Sequence, residues 1–237
     1  MTTVRRKLGL QSGGTDLAVL LTVLAMLAGV AGFIAVAYVV GEGKTQDFDE
    51  RLMRLSRDPK NLGRTLDPEW VEEAMRDLTA FGGAAGLTLL TAIVTGYLLI
   101  CRKYRAVAML LIVTVGGLLL SHLLKEHFNR PRPEVVPRLD HVFTSSFPSG
   151  HSMNAAVVYL TLGSLLARLV AQRRLKLYFW SVALLLSFLV GVSRVYVGAH
   201  WPTDVLAGWS AGLAWALLCS LVARWLQRRG AVEKEAA

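Results

Sequence analysis

Cysteine is nearly missing from this chain: Cys101 and Cys219 are the only two, and they stand far apart. That excludes a disulfide-stapled scaffold, and neither cysteine has a partner at metal-ligand spacing. Charge is scarce as well. Asp, Glu, Lys and Arg make up 18% of the residues, against about a quarter in an ordinary soluble domain. Acid is the scarcer sign, with 17 residues against 26 basic ones and a net charge of +9. Internal repeats and low-complexity tracts are missing too, which removes solenoids and disordered tails as organising principles.

What fills the chain is apolar: 54% of the residues, with a mean hydropathy of +0.46. The apolar residues come in six blocks, Leu17–Gly41, Leu78–Cys101, Ala106–Leu124, His151–Ala171 (interrupted by Arg168), Leu177–Ser193 and Val205–Ala223. Each is roughly 17 to 25 residues, the length a helix needs to cross about 30 Å of hydrocarbon. Arg5-Arg6-Lys7 resembles the positive region of a signal peptide, and Ala35-Val36-Ala37 a cleavage site. The run between them is too long for a signal core, so a retained first span is expected. The fold class expected is all-α: a six-span transmembrane helical bundle forming one domain over residues 1–237.

The basic residues choose an orientation. Arg5, Arg6 and Lys7 precede the first span, Arg102, Lys103 and Arg105 follow the second, Arg173, Arg174 and Lys176 follow the fourth, and Arg224, Arg228 and Arg229 end the sixth. With six spans all four groups share one side, which the positive-inside rule makes cytoplasmic. Both termini are then expected inside. The 42–77 segment, on the other side, holds more acids than bases. Within it Phe48, Leu52 and Leu55 recur at helical spacing, and Asp58-Pro59-Lys60-Asn61-Leu62-Gly63 breaks the pattern. Asp67-Pro68 reads as an N-cap with proline at the first helical position, followed by an apolar face of Trp70, Ala74, Met75 and Leu78. Two short amphipathic helices on the outer membrane surface are expected between spans one and two.

Three polar stretches fall on that same outer side: 125–133, 146–152 and 193–204. Taken singly each is unremarkable. Lys125, Arg130 and Arg132 can snorkel to headgroups, and Asp204 can be a helix-start acid favoured by the dipole. Together they place cations, two histidines and a carboxylate at one membrane face, where ionisable residues are expensive and mark function. Arginine offers paired donors to phosphate oxygens, lysine a mobile point charge, and Ser149-Gly150-His151 opens a helix whose free N–H groups receive anions. His200 and Asp204 are one helical turn apart. A carboxylate on one imidazole nitrogen leaves the other free to attack phosphorus, and His151 can protonate the departing oxygen. No metal or other cofactor is required by such a set, and no nucleic acid or obligate protein partner is expected, only a lipid phosphate within the bilayer.

Lys125, Arg132 and Pro133 fill the pattern K-x6-R-P, Pro148 to His151 fill P-S-G-H, and Ser193, Arg194, His200 and Asp204 fill S-R-x5-H-x3-D. In order and spacing these resemble the signature of the type 2 phosphatidic acid phosphatase and vanadium haloperoxidase superfamily. With six spans the chain is similar to its integral-membrane branch, which includes bacterial phosphatidylglycerophosphate and undecaprenyl pyrophosphate phosphatases. The resemblance implies a phosphohistidine at His200, oriented by Asp204, with His151 as general acid, and hydrolysis without a metal. It further implies that Lys125, Arg132, Arg194 and the backbone of Ser149 and Gly150 are the phosphate-binding residues. Asp77-Leu78-Thr79-Ala80-Phe81-Gly82 also resembles the segment that opens the second span in bacterial relatives. The motifs leave open a phosphotransferase that passes the phosphoryl group to a lipid or sugar. A non-catalytic lipid-phosphate binding or transport protein would need the cations but not the two histidines and Asp204 together. Soluble haloperoxidases share the pocket but not the spans.

Overall fold

The computed structural model describes residues 13–137 and 144–228; the basic residues 5–7 and Arg229 used for orientation lie outside it. Among the described residues the chain is almost wholly helical. In order, α1 is Gly13–Gly41, α2 Gln46–Arg54, β1 Arg57–Asp58, β2 Asn61–Thr65, α3 Glu69–Ala80, α4 Ala84–Ile100, α5 Tyr104–Phe128, α6 Gly150–Leu169, α7 Arg173–Tyr196 and α8 Pro202–Arg228. Five helices, α1 and α5 to α8, are long and apolar enough to cross a membrane, and α4 passes the same test when taken together with the end of α3, from which it is bent. The protein is an integral membrane protein. Its outward surface bears Leu20, Leu24, Ile34, Ile93, Ile112, Leu119, Leu185 and Phe188, all exposed, an apolar coat that only lipid covers without penalty.

The second apolar block is not one helix, as its length suggested. It breaks at residues 81–83, so that Leu78 to Ala80 end α3 and the remainder forms α4, the two helices meeting at 53°. Gly82 and Gly83 allow this, since the Tyr159 hydroxyl donates to the Phe81 carbonyl freed at the end of α3 (2.7 Å). The α3 start also differs from expectation. Pro68, with an extended ψ of 149°, is itself the cap, and the helix begins at Glu69 rather than at the proline.

Both short helices between the first two spans exist, joined by the antiparallel pair β1–β2 where the helical pattern breaks. They do more than rest on a membrane surface. α2 exposes Phe48 and Leu52, and Leu55 just after it, while burying Asp49 and Met53 against the bundle. Arg57, also buried, donates to the Tyr196 carbonyl at the end of α7 (2.5 Å).

The bundle core is α6, wrapped by α5, α7 and α8 and sealed by Leu87, Leu110, Ala155, Val158, Leu162, Ala183 and Val190. The backbones of α6 and α8 approach closely. A Cβ at Gly208 would stand 2.7 Å from the Ser149 carbonyl oxygen, and one at Gly212 would stand 2.6 Å from that of Met153. These glycines, four apart, let two backbones touch as small residues do between membrane helices.

Candidate active site

All three motifs meet at one end of the bundle because they occupy alternate helix ends: the last turn of α5, the first of α6, the last of α7 and the first of α8. In each case the helix runs past its apolar block. α5 continues to Phe128, so Lys125 sits on its final turn.

The third motif turns back on itself. Gly198 adopts φ +73°, which glycine takes without strain, and the Arg194 carbonyl then accepts the N–H groups of both Ala199 (3.1 Å) and His200 (3.2 Å). That turn is why arginine and histidine six residues apart share one pocket. His200, Arg194 and Asp204 are all at most 1% exposed.

His200 presents its two nitrogens to different partners. Nδ1 lies 3.5 Å from Asp204 Oδ2 and Nε2 lies 3.4 Å from Arg132 Nη1. A guanidinium can only donate, so Nε2 carries the lone pair and Nδ1 the proton. The ring is held neutral: burial, then the charges of Arg132, Arg194 and Lys125, push its pKa well below the ordinary imidazole value, against a weaker opposite pull from the Ser146 carbonyl. Asp204 is fixed from both sides. Its Oδ2 accepts the Trp201 N–H (3.0 Å) and its Oδ1 accepts from Arg130 (2.6 Å).

Loop carbonyls aim the Arg132 fork. Its nitrogens donate to Thr144 O (2.7 Å), Ala199 O (2.8 Å) and Thr144 Oγ1 (3.1 Å). Lys125 lies against the start of α6: a Cβ on Gly150 would be 3.2 Å from Lys125 Cε and 3.5 Å from Nζ. Ser149 caps α6 by accepting the Ser152 N–H (3.4 Å), while its own N–H donates to the Asp204 carbonyl (2.9 Å) and so ties the second motif to the third. The first motif is tied in through Pro131, whose carbonyl accepts from Ser146 Oγ (2.9 Å) and Trp201 Nε1 (3.1 Å).

His151 follows on the first turn of α6 and is partly exposed. Its ring faces the break in the second span, where a Cβ on Gly83 would be 3.7 Å from His151 Nε2. The same break is held by Thr79 Oγ1 against Ser193 Oγ (2.9 Å). Thus the 77–82 segment, distant in sequence, forms the wall beside His151. A cavity of about 380 Å³ at the opposite end of the bundle, lined by Tyr97, Arg105, Arg168 and Ser220 among others, touches none of the motif residues.

Arg130 does not snorkel to headgroups. Its guanidinium turns inward between Asp204 and Asp49, 2.9 Å from Asp49 Oδ2. Neither Asp49 nor Thr203, which binds it, stood out in sequence, since pairing across 154 residues leaves no local signature.

The sequence profile of the PAP2 superfamily matches residues 105–228. Phosphatidylglycerophosphatase B of Bacillus subtilis (strain 168) is 35% identical over 185 residues, 76% of this chain and 86% of the relative. Lipid A 1-phosphatase of Rhizobium etli is 29% identical over 184 residues, 68% of this chain and 75% of the relative. The crystal structure of a transmembrane PAP2 type phosphatidylglycerolphosphate phosphatase from Bacillus subtilis superposes with a TM-score of 0.76 at 31% identity, over 86% of this chain and 98% of its own. On motif, sequence and fold alike, the chain belongs to the PAP2 superfamily and is an integral-membrane phosphatase of it.

Proposed function

We propose that this phosphatase hydrolyses a membrane lipid phosphate through a phosphohistidine on His200. The observation that carries the proposal is the split environment of the ring, with Nδ1 toward Asp204 and Nε2 toward Arg132. Phosphate oxygens are held by Arg132, Lys125, Arg194 and the first-turn N–H of Gly150, while the Ser149 N–H, bound to the Asp204 carbonyl, holds that turn in place. Nε2 attacks phosphorus, the bond to the lipid oxygen breaks, and His151 gives that oxygen its proton. Asp204 stabilises the imidazolium that forms as the nitrogen–phosphorus bond is made. Water then attacks the phosphohistidine with His151 taking its proton, and inorganic phosphate leaves. Preorganised cations facing the developing charge supply the electrostatic part of catalysis.

The substrate class is a phosphatidic acid, phosphatidylglycerophosphate or polyprenyl pyrophosphate lipid. Phosphatidylglycerophosphate is the first to test, since it is the substrate in the name of the Bacillus relative. The site opens on the face away from the cytoplasm with both termini inside, which the basic links at 102–105 and 173–176 support. No cofactor or protein partner is needed.

Phosphate release from these lipids by detergent-purified protein, in EDTA, tests the reaction. Release from at least one, abolished by vanadate, is expected; activity that EDTA removes and magnesium restores refutes the mechanism. Transfer to a lipid or sugar acceptor without free phosphate would make the enzyme a phosphotransferase instead. For topology, a cysteine replacing Glu134 in a variant lacking Cys101 and Cys219 should react with an impermeant thiol reagent on intact cells, and one replacing Gln172 should not.

A further inference from the structure

A chain of alternating charge continues beyond the motif residues. Asp49 on α2 is fully buried. Its Oδ1 accepts the Thr203 N–H (2.9 Å), and its Oδ2 accepts from Thr203 Oγ1 (2.7 Å) and Arg130 Nη2 (2.9 Å). Arg130 Nη1 donates to Asp204 Oδ1 (2.6 Å) and to Thr203 Oγ1 (2.9 Å), Nη2 reaches Thr45 Oγ1 (3.3 Å), and the guanidinium lies 5.4 Å over the Trp201 ring. From outside inward the charges run Asp49 negative, Arg130 positive, Asp204 negative and His200 positive once it is phosphorylated.

We propose that Asp49 and Arg130 are positioning residues for the Asp204–His200 pair, an inference that rests on the nucleophilic role given to His200 above. Two physical needs meet here. A carboxylate taken out of water requires a counter-charge and full hydrogen bonding, and Arg130 supplies both to Asp204. Arg130 alone would also oppose the positive charge that Asp204 must stabilise on the imidazole. Asp49 offsets that, so that a net negative field remains behind the ring. Asp49 further accepts a first-turn N–H of α8, an orphan donor by helix geometry, and thereby sets the direction in which that helix delivers Asp204. The oxygen atoms of Asp204 have no freedom left: one is bound to Arg130 and the other to the Trp201 N–H, beside Nδ1. Arg132 lies at the other nitrogen of the ring, Nε2, and makes no bond to Asp49, Arg130 or Asp204 among its described contacts.

The test uses the full chain in detergent with a lipid phosphate substrate. Asp49→Asn should lower kcat about 10- to 100-fold, the scale of loss from small misplacement of a reacting group. The inhibition constant for inorganic phosphate, which reads the cradle, should stay unchanged, as should the melting temperature to within a few degrees. Arg130→Gln should lose more than Arg130→Lys, because lysine restores the charge although it cannot fork between two carboxylates. Should Asp49→Asn fail to yield folded protein, that Arg130 ordering carries the test. Wild-type kcat in Asp49→Asn overturns the proposal, as does equal loss in the two Arg130 variants. So does an activity loss that tracks melting temperature and is recovered by cooling the assay. His200→Ala separates the two levels: if it stays active the proposed function itself fails, whereas an inactive His200→Ala beside a normal Asp49→Asn removes only the role of Asp49.

Discussion

Replacing Gly208 with alanine tests whether the contact between α6 and α8 aligns the second motif with the third. The added Cβ would sit 2.7 Å from the Ser149 carbonyl oxygen, 3.1 Å from Ser152 Cβ and 3.2 Å from the Met153 nitrogen. Real Cβ contacts essentially never fall below 3.0 Å, so the start of α6 must withdraw by at least about 0.3 Å. Two of those three neighbours are backbone atoms, and no rotamer change can relieve them. Overpacking of this kind costs about 1–3 kcal/mol, or roughly 2–12 °C of melting temperature for a chain of this size. A functional loss of the same order should accompany the structural one. Ser149 carries one wall of the cradle and bonds the Asp204 carbonyl, and a displacement of 1 Å at a reacting centre costs about 10²-fold. A shift of a few tenths should cost about tenfold by the same scale. The assay is phosphate release from a short-chain lipid phosphate, with thermal unfolding followed in the same detergent. Gly96→Ala is the control, since nothing lies within 4 Å of its added Cβ and alanine favours a helix interior. Wild-type turnover and melting temperature in Gly208→Ala would refute the alignment role of the contact.

His200→Ala should abolish turnover of every substrate, whereas His151→Ala should lose about 10²–10⁴-fold on phosphatidic acid and far less on nitrophenyl phosphate, whose leaving group needs no proton. Equal losses on both would mean that His151 chiefly binds phosphate. Arg194→Lys keeps the charge of a fully buried side chain but loses its paired donors, so turnover should fall sharply; an unaffected variant would show that the cradle does not use Arg194. Because the pKa of His200 is depressed, the nucleophile stays unprotonated through pH 6.5, and kcat/KM, corrected for ionisation of the substrate phosphate, should show no loss from an ordinary imidazole there. The same depression has a sign for stability. Below about pH 6.5 the unfolded chain binds a proton that the folded chain refuses, so urea midpoints should fall as the pH is lowered from 7 to 5, and less so in His200→Gln.

The membrane class, the helical fold and the motif residues were legible in sequence because each rests on a local property. An apolar run of span length declares itself whatever its neighbours are, and Ser193-Arg194 with His200 and Asp204 show their spacing within one turn and one helix start. The length of an apolar run does not report where its backbone bends. The break at 81–83 follows from what the end of α3 packs against, namely Tyr159, 78 places along the chain from Phe81, and Ser193, 114 places from Thr79. Charge likewise has no direction in a sequence. Arg130 and Arg132 are separated by one proline, yet the tertiary structure turns Arg132 to His200 and Arg130 to Asp49 and Asp204. Only the folded chain decides this, because a buried charge goes where a counter-charge and hydrogen-bond partners already stand, and those partners arrive from α2 and α8.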